Sequence, residues 1–235
     1  MRLSPRLIEV AKLVPKSDKI LDVGTDHGYI PVYLVENNIT KKAIAADINE
    51  GPLNSAREYV NKEGHNDNID IRLGNGLDVV KKDEKIDAAI IAGMGGILIA
   101  NILKDNKDIT KNIDSFILQP MVASEDLRKF LYNNGYNIID EKLAREEDRY
   151  YEIIVAKHSE KKIELDEIYY EIGLKLIENK DPLLENFVLK KINNIKKIMR
   201  NIEENGSMNN KKYLQLKRKF DKLKEVYDNE IKGNH

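Results

Sequence analysis

The stretch Lys19-Ile-Leu-Asp-Val-Gly-Thr-Asp-His-Gly-Tyr-Ile-Pro31 decides the fold. Its apolar residues Ile20, Leu21 and Val23 suffice only for a short buried strand, which breaks at Gly24 and re-enters helical sequence through Gly28. A strand, a glycine turn and a helix N-terminus make a nucleotide-sized site at the carboxyl edge of a parallel sheet. Glycine in the turn lets backbone approach a ligand, because no Cβ stands in the way. A dinucleotide fingerprint would carry its second glycine where Asp26 stands, since a pyrophosphate needs bare backbone there. Asp26 would repel a pyrophosphate, and Asp22, read as part of the turn, adds a second carboxylate. The turn suits a ligand bearing positive charge.

Composition narrows the class. With 235 residues, of which 41% are hydrophobic, the chain allows one large domain or a domain with an accessory part. No apolar run is long enough to span a bilayer, and Met1 to Pro5 leads into a short amphipathic segment rather than a signal peptide. The chain has no cysteine, which excludes disulfides and thiolate metal sites, and His27, His65, His158 and His235 lack ligand spacing. A cytoplasmic protein without membrane or metal partners is expected. The net charge of −1 conceals a division: Ser159 to His235 holds 17 basic and 14 acidic residues, leaving 22 basic against 26 acidic before it. Between Leu189 and Lys224, twelve basic residues face only Glu203, Glu204 and Asp221.

Ser4-Pro5 reads as the N-cap and first position of a helix whose apolar face is Leu7, Val10, Ala11 and Val14. Lys42 to Asp47 is a second buried strand ending in a carboxylate, where an acidic residue can hold a ribose. Gly51-Pro52 opens a helix with Leu53, Ala56 and Val60 inward, and Ile69 to Leu73 is a third strand running into Gly74-Asn75-Gly76. That flexible turn can lie against an adenine. A central strand, Ile86 to Ala92, runs into Gly93-Met94-Gly95-Gly96, where bare backbone leaves room for ligand or substrate. Ser115 to Leu118 is a fifth strand ending in Gln119-Pro120, followed by a helix from about Ser124 to Asn134 with Gly135 as its cap.

Tyr136 to Ile139 and Tyr151 to Ala156 follow with no helix between them, so they pair as a long hairpin. Five βα steps closed by a β-hairpin is the order of a class I, Rossmann-like methyltransferase sheet, and S-adenosylmethionine carries the positive charge that Asp22 and Asp26 call for. From about Leu165 the sequence is helical. Ile192, Ile195, Met199 and Ile202 form one apolar seam, and Tyr213, Leu216, Phe220, Leu223 and Tyr227 a second; with Asn205-Gly206-Ser207 between them they predict an antiparallel coiled-coil hairpin. The expected architecture is α/β, with a methyltransferase domain at 1–158 and a helical coiled-coil domain at 159–235.

On these motifs the chain resembles the TrmK family of bacterial tRNA (adenine-22-N1) methyltransferases. The resemblance runs through Leu3-Ser-x-Arg-Leu7, Asp22-Val-Gly-x-Asp-His-x-Tyr-Ile-Pro31, Gly51-Pro52, Gly74-x-Gly-Leu77, Ala92-Gly-Met-Gly-Gly96, Leu118-Gln-Pro120 and the closing hairpin. It implies an enzyme of class 2.1.1 that uses S-adenosyl-L-methionine, releases S-adenosyl-L-homocysteine and grips tRNA with its C-terminal helices, as a monomer or weak dimer. Met121 stands where family members often carry Asn, and Asn75 where Asp is frequent.

The site is then expected as follows. Asp22, Gly24, Asp26 and His27 form the methionine side of the cofactor pocket, Asp47 with Ile48 the ribose side. Asn75, Gly76 and Leu77 meet the adenine, and Ala92 with Gly93 closes the cofactor site. Tyr29, Met94, Gly95, Gly96 and Pro120 surround the target base. Asp26 either accepts from N6 of that base or grips the cofactor's ammonium group, and Gln119 is the second candidate catalytic residue because it can donate to and accept from a purine edge. Lys190, Lys197, Arg200, Lys212 and Arg218 are the expected phosphate contacts. Alternatives are a class I methyltransferase acting on another RNA, a protein or a small molecule, and a non-catalytic RNA-binding scaffold. An NAD-dependent enzyme is disfavoured by Asp26 and by the terminal hairpin.

Overall fold

The computed structural model describes residues 3–159, 161–204 and 210–233. The chain divides into two compact units, Met1–Glu164 and Leu165–His235. The division falls later than the 158/159 boundary read from sequence, because the segment after the last strand stays with the first unit. Ser159 N–H bonds to Gly135 C=O and Ile163 N–H to Tyr132 C=O.

The first unit is built on seven strands: β1 (Ser17–Val23), β2 (Thr40–Asp47), β3 (Ile69–Leu73), β4 (Ile86–Gly95), β5 (Ile113–Val122), β6 (Tyr136–Glu146) and β7 (Arg149–His158). They form one sheet in the order β3-β2-β1-β4-β5-β7-β6. The first five are parallel, and β7 runs antiparallel to both β5 and β6. The central strands read as unbroken apolar runs because both their faces are buried; Ile20, Leu21, Ile44, Ile90, Ile91 and Leu118 are core residues. Helices α1 (Pro5–Lys12), α2 (Tyr29–Glu36), α3 (Glu50–Lys62), α4 (Gly96–Asp105), α5 (Lys107–Thr110) and α6 (Ser124–Asn133) complete the unit. Ser4 caps α1 by accepting from Leu7 N–H, and Gly28 enters α2 at φ +70°, a left-handed conformation that suits glycine.

Two expectations change. Asp22 lies inside β1 rather than in the turn, in register with Ala45 on one side and Ile90 on the other, and is therefore buried. The segment Gly93-Met94-Gly95 is no open loop: β4 continues through it, with Met94 opposite Pro120 and Gly95 opposite Val122 across two register shifts. Gly96 opens α4 against the backbone of Ala123, whose carbonyl a Cβ at position 96 would strike.

A buried ion triad fixes the hairpin. Arg128 of α6 bonds Glu141 of β6 through Nε at 2.6 Å and pairs with Glu152 of β7 through Nη2 at 2.7 Å. Each carboxylate sits on a different hairpin strand, so one guanidinium ties α6 to both.

In the second unit α7 (Glu167–Ile172) and α8 (Leu174–Glu178) precede the long helices α9 (Leu184–Glu204) and α10 (Lys211–Val226). The long pair is antiparallel: Tyr213 donates to Glu203 at 2.6 Å near one end and Tyr227 to Glu185 at 2.9 Å near the other. Ile192, Ile195 and Leu223 are buried, with Val226 rather than Tyr227 completing that end, while Met199, Ile202, Tyr213 and Leu216 stay half-exposed. The expected turn Asn205-Gly206-Ser207 lies outside the described residues.

Truncating Arg128 to Ala would leave the buried Glu141 and the partly buried Glu152 without their cation. The expected loss is about 3–5 kcal/mol of unfolding free energy, to be read from urea denaturation against an Ile139→Ala control on the half-exposed side of the same hairpin.

Candidate active site

The winding of the sheet reverses between β1 and β4, and crevices for ligands in such sheets open beyond the carboxyl ends of the strands at that point. A cavity of about 370 Å³ lies there. Asp22, Gly24, Thr25, Asp26 and His27 line it from the β1 side, Ala92 and Gly93 from β4, and Arg6, Tyr29 and Met121 from neighbouring elements. A larger hollow of about 850 Å³ sits at the opposite, amino-terminal edge around Ser17, Thr40, Asp87 and Ser115. Its Asp87 already accepts from the backbone N–H groups of Asp18 and Lys19, so that edge is held by the fold's own bonds.

Asp22 is the most unusual group in the cavity. Burial pushes its carboxyl up to about 6, and the charge of Asp47 at the end of the neighbouring strand adds to the shift. Thr25 lowers it somewhat from close by, yet among the described residues its buried Oγ1 has no hydrogen-bond partner of normal geometry. A desolvated carboxylate beside an unsatisfied hydroxyl is a place where a ligand with a cationic hydrogen-bond donor gains most. Gly24 (φ +77°) donates from its N–H to Ala46 C=O at 2.8 Å, and the Met94 side chain lies where a Cβ on Gly24 would project.

The other expected residues distribute unevenly. Asp26 stands at the mouth with its side chain 80% exposed, 3.6 Å from His27 Nε2. His27 stacks on Tyr29, which in turn meets Tyr59 edge-on, so both rings brace the wall. Asp47 ends β2 and accepts from Asn49 N–H at 2.7 Å, while Ile48 beside it is exposed. Asn75 is exposed at the same strand edge. Leu77 and Gly96 do not meet the cavity with side chains: Leu77 is core, and Gly96 is pressed against Ala123. Gly76 (φ +57°) packs on Ile102.

Gln119 departs most from expectation. It is 0% exposed. Its Oε1 accepts from Arg6 Nη1 at 2.5 Å and from Gly93 N–H at 3.1 Å, while Nε2 donates to Pro120 C=O at 2.9 Å and to Met121 Sδ at 3.7 Å. With every polar group engaged inside the protein, it holds the wall together and leaves nothing for a purine edge.

Sequence reasoning missed Arg6. It is the one Lys or Arg among the described residues lining the cavity. Its guanidinium lies over the Tyr151 ring at 5.4 Å, and its N–H donates to Glu146 at 2.7 Å. The only signal was its place in Leu3-Ser-x-Arg-Leu7, because nothing local in a first helix points to a strand end more than a hundred residues away.

On the second unit, Asn193, Lys196, Lys197, Arg200, Asn201 and Glu204 surround a shallow hollow along one face of α9. Lys197, Arg200, Lys212 and Arg218 are exposed, as is Lys190. Some of the basic residues counted from the sequence serve the fold, among them Lys191 and Lys219, which pair with Glu171, and Lys222, which pairs with Asp166. Among the described residues no helix is long and apolar enough to cross a membrane, and no cluster of acidic or histidine side chains could hold a metal ion.

Comparison with known proteins gives a consistent result. The family model for tRNA (adenine(22)-N(1))-methyltransferase, TrmK, matches residues 20–225. The tRNA (adenine(22)-N(1))-methyltransferase of Bacillus subtilis (strain 168) is 36% identical, with 97% of this chain and 98% of that protein covered. M. capricolum TrmK, solved in complex with S-adenosyl-homocysteine, is 37% identical and superposes with a TM-score of 0.84 over 97% of this chain and 99% of that one. A Streptococcus pneumoniae protein solved with S-adenosyl-L-methionine is 32% identical, with a TM-score of 0.86 over 96% of this chain and 100% of that one. A seven-stranded sheet with one reversed strand, a desolvated carboxylate at its switch point and likeness along nearly the whole chain lead to one assignment: this chain belongs to the TrmK family.

Proposed function

We propose that the protein transfers a methyl group from S-adenosyl-L-methionine to N1 of adenine 22 in tRNA, giving 1-methyladenosine and S-adenosyl-L-homocysteine. The observation that carries this reading is the buried Asp22 carboxylate at the switch point, raised to about 6 and facing a cavity with room for a cationic group. The residues fit the cofactor. Asp22 would take its ammonium group, Thr25 Oγ1 an adjacent polar atom, and Arg6 its carboxylate. Asp47 would hold the ribose hydroxyls, and Asn75 would lie by the adenine. When bound, S-adenosyl-L-methionine supplies an electrophilic methyl on a sulfonium centre.

The chain's own contribution is mostly position, because an in-line displacement needs its reactants held close and aligned. N1 of adenine has a lone pair and needs no general base. As positive charge moves onto the purine its N6 protons become more acidic, and Asp26 at the cavity mouth accepts from N6 and stabilises that charge. Gln119 acts indirectly, by holding Arg6 and the Gly93 backbone in place. N1 lies on the pairing edge, so the target base must leave the helix stack before reaction.

In this reading the first unit, residues 1–164, supplies the methyltransferase domain and the second, residues 165–235, the tRNA contacts. Lys196, Lys197 and Arg200 follow the i, i+1, i+4 spacing of one helix face and take phosphates, together with Lys190, Lys212 and Arg218. The protein works in the cytoplasm, without metal, as a monomer or weak dimer.

The reaction is tested by methylation of unmodified tRNA with labelled S-adenosyl-L-methionine and nucleoside analysis. The parent protein is expected to give 1-methyladenosine, and Asp26→Ala to lose about 10²-fold or more in kcat, with cofactor affinity by calorimetry much less affected. Incorporation at another atom or no incorporation would overturn the assignment.

Asp22 gives a pH signature. Its folded pKa of about 6 exceeds the ordinary value of 3.8, so ionising it costs stability as pH rises through that window. Ligand-free Asp22→Asn should therefore be more stable than the parent at pH 7.5, by roughly 2–3 kcal/mol, with the gap closing near pH 4. Cofactor affinity should show the opposite sign: the parent binds less tightly as pH falls below about 6, and the variant binds weakly throughout.

Replacing both Lys197 and Arg200 by Ala should weaken tRNA binding and lower the slope of log affinity against log salt by about 2. An unchanged slope in a filter-binding titration would remove this face of α9 from the interface.

A further inference from the structure

The ends of β4 and β5 beside the cavity carry exposed apolar side chains. Ile97 is 59% exposed, Leu98 51%, Met121 42% and Val122 66%. They come from two adjoining strand ends, the β4–α4 junction and the end of β5, which pair through Gly95 and Val122. A Cβ at Gly95 would meet Val122 Cγ2 at 3.7 Å, so the valine side chain lies over that glycine. Gly96 packs tightly on the Ala123 carbonyl, and Ala123 itself is fixed at φ +58°, in the left-handed region. The rim is thus held firmly by its backbone. One of its members, Met121, also lines the cavity.

The chemistry of the rim selects a partner. Residues 93–98 and 119–124 carry no charge, and the second stretch is followed at once by the acidic Glu125 and Asp126. The nearby cation, Arg6, is held by Gln119 inside the cavity, whereas on the exposed side chains the flat face of a nucleobase would find aliphatic carbon. An adenine drawn out of the stack to present N1 leaves its covalently attached neighbours without a stacking partner at this position. Apolar surface exposed in this way marks a contact site on a soluble protein.

We propose that Ile97, Leu98 and Val122, at the strand ends beside the cavity that Met121 lines, form a platform on which the unpaired nucleotides flanking the target adenine stack. The contact is sequence-tolerant because every base has a π-face. This inference rests on the reading of the cavity as the methyl-transfer site.

The test uses full-length protein carrying Leu98→Ser with Val122→Ser, and separately Val122→Phe. Methylation kinetics on unmodified tRNA, cofactor calorimetry, salt-dependent tRNA binding and sedimentation are compared with the parent. The double variant is expected to lose about tenfold or more in kcat/KM for tRNA, the scale of one stacked base. Its cofactor affinity and salt slope should stay at parental values, since the lost contact is uncharged and lies outside the cofactor site. Val122→Phe should match or exceed the parent, which keeps the test decisive even if the double variant folds poorly. Unchanged kcat/KM, a changed salt slope, or conversion of a dimer to a monomer by the double variant would overturn the platform, the last result giving the patch to a second copy of the chain. A parent that binds no cofactor or does not methylate tRNA would instead overturn the cavity reading itself.

Discussion

The first unit depends on one constraint, the reversal of winding at β1. Parallel strands can be joined only by crossovers, and each crossover lays a helix on a face of the sheet. From β1 the chain proceeds outward through β2 and β3, then returns to place β4 on the other side of β1. The connection after β1 leads to β2 and the one after β4 leads to β5, on opposite sides, which leaves a crevice beyond Val23 and Ala92. The same reversal buries β1 between two hydrogen-bonded neighbours, and with it the carboxylate of Asp22. A desolvated charge is unfavourable in the free protein and favourable once a cation joins it, so a cost in folding becomes affinity for a ligand.

The wall of that crevice is assembled from distant parts of the chain. Gln119 at the end of β5 joins the Gly93 backbone of β4 to the Arg6 guanidinium of α1. Arg6 is tied in turn to the terminal hairpin through Tyr151 and Glu146. Burial pushes the Glu146 carboxyl up, but bonds from Ser4 and the Arg6 N–H, with the Arg6 charge, outweigh it and hold it below its usual range. The Arg128 triad fixes the hairpin against α6. The antiparallel addition that distinguishes this sheet from a plain dinucleotide-binding one is therefore also a support for its site.

Charge is divided by use. In the first unit Asp22 is desolvated and Asp47 stands at the end of β2. In the second unit part of the basic excess is spent on the fold, in the pairs with Glu171 and Asp166, while α9 keeps Lys196, Lys197 and Arg200 on one exposed face. A count of charges along the sequence overstates what a polyanion can meet, because it does not separate these two groups.

The amino-acid sequence by itself determined the strand–turn–helix at Lys19 to Pro31, the buried central strands, the terminal hairpin and the paired C-terminal helices. Those features are local: apolar periodicity, a glycine that tolerates positive φ, and the absence of a helix between two strands all act within a few residues. Asp22, Gly24 and Asp26 were legible together for the same reason, since they fall within five residues, although Asp22 itself belongs to β1 and only the other two follow the strand. The tertiary structure alone decided that Gln119 is an internal bracket, that Leu77 belongs to the core, that Gly96 answers to the Ala123 carbonyl and that Arg6 reaches the cavity. Each of these depends on which atoms from distant segments arrive at the same place, and burial and hydrogen-bond satisfaction are set by that arrival and not by neighbours along the chain.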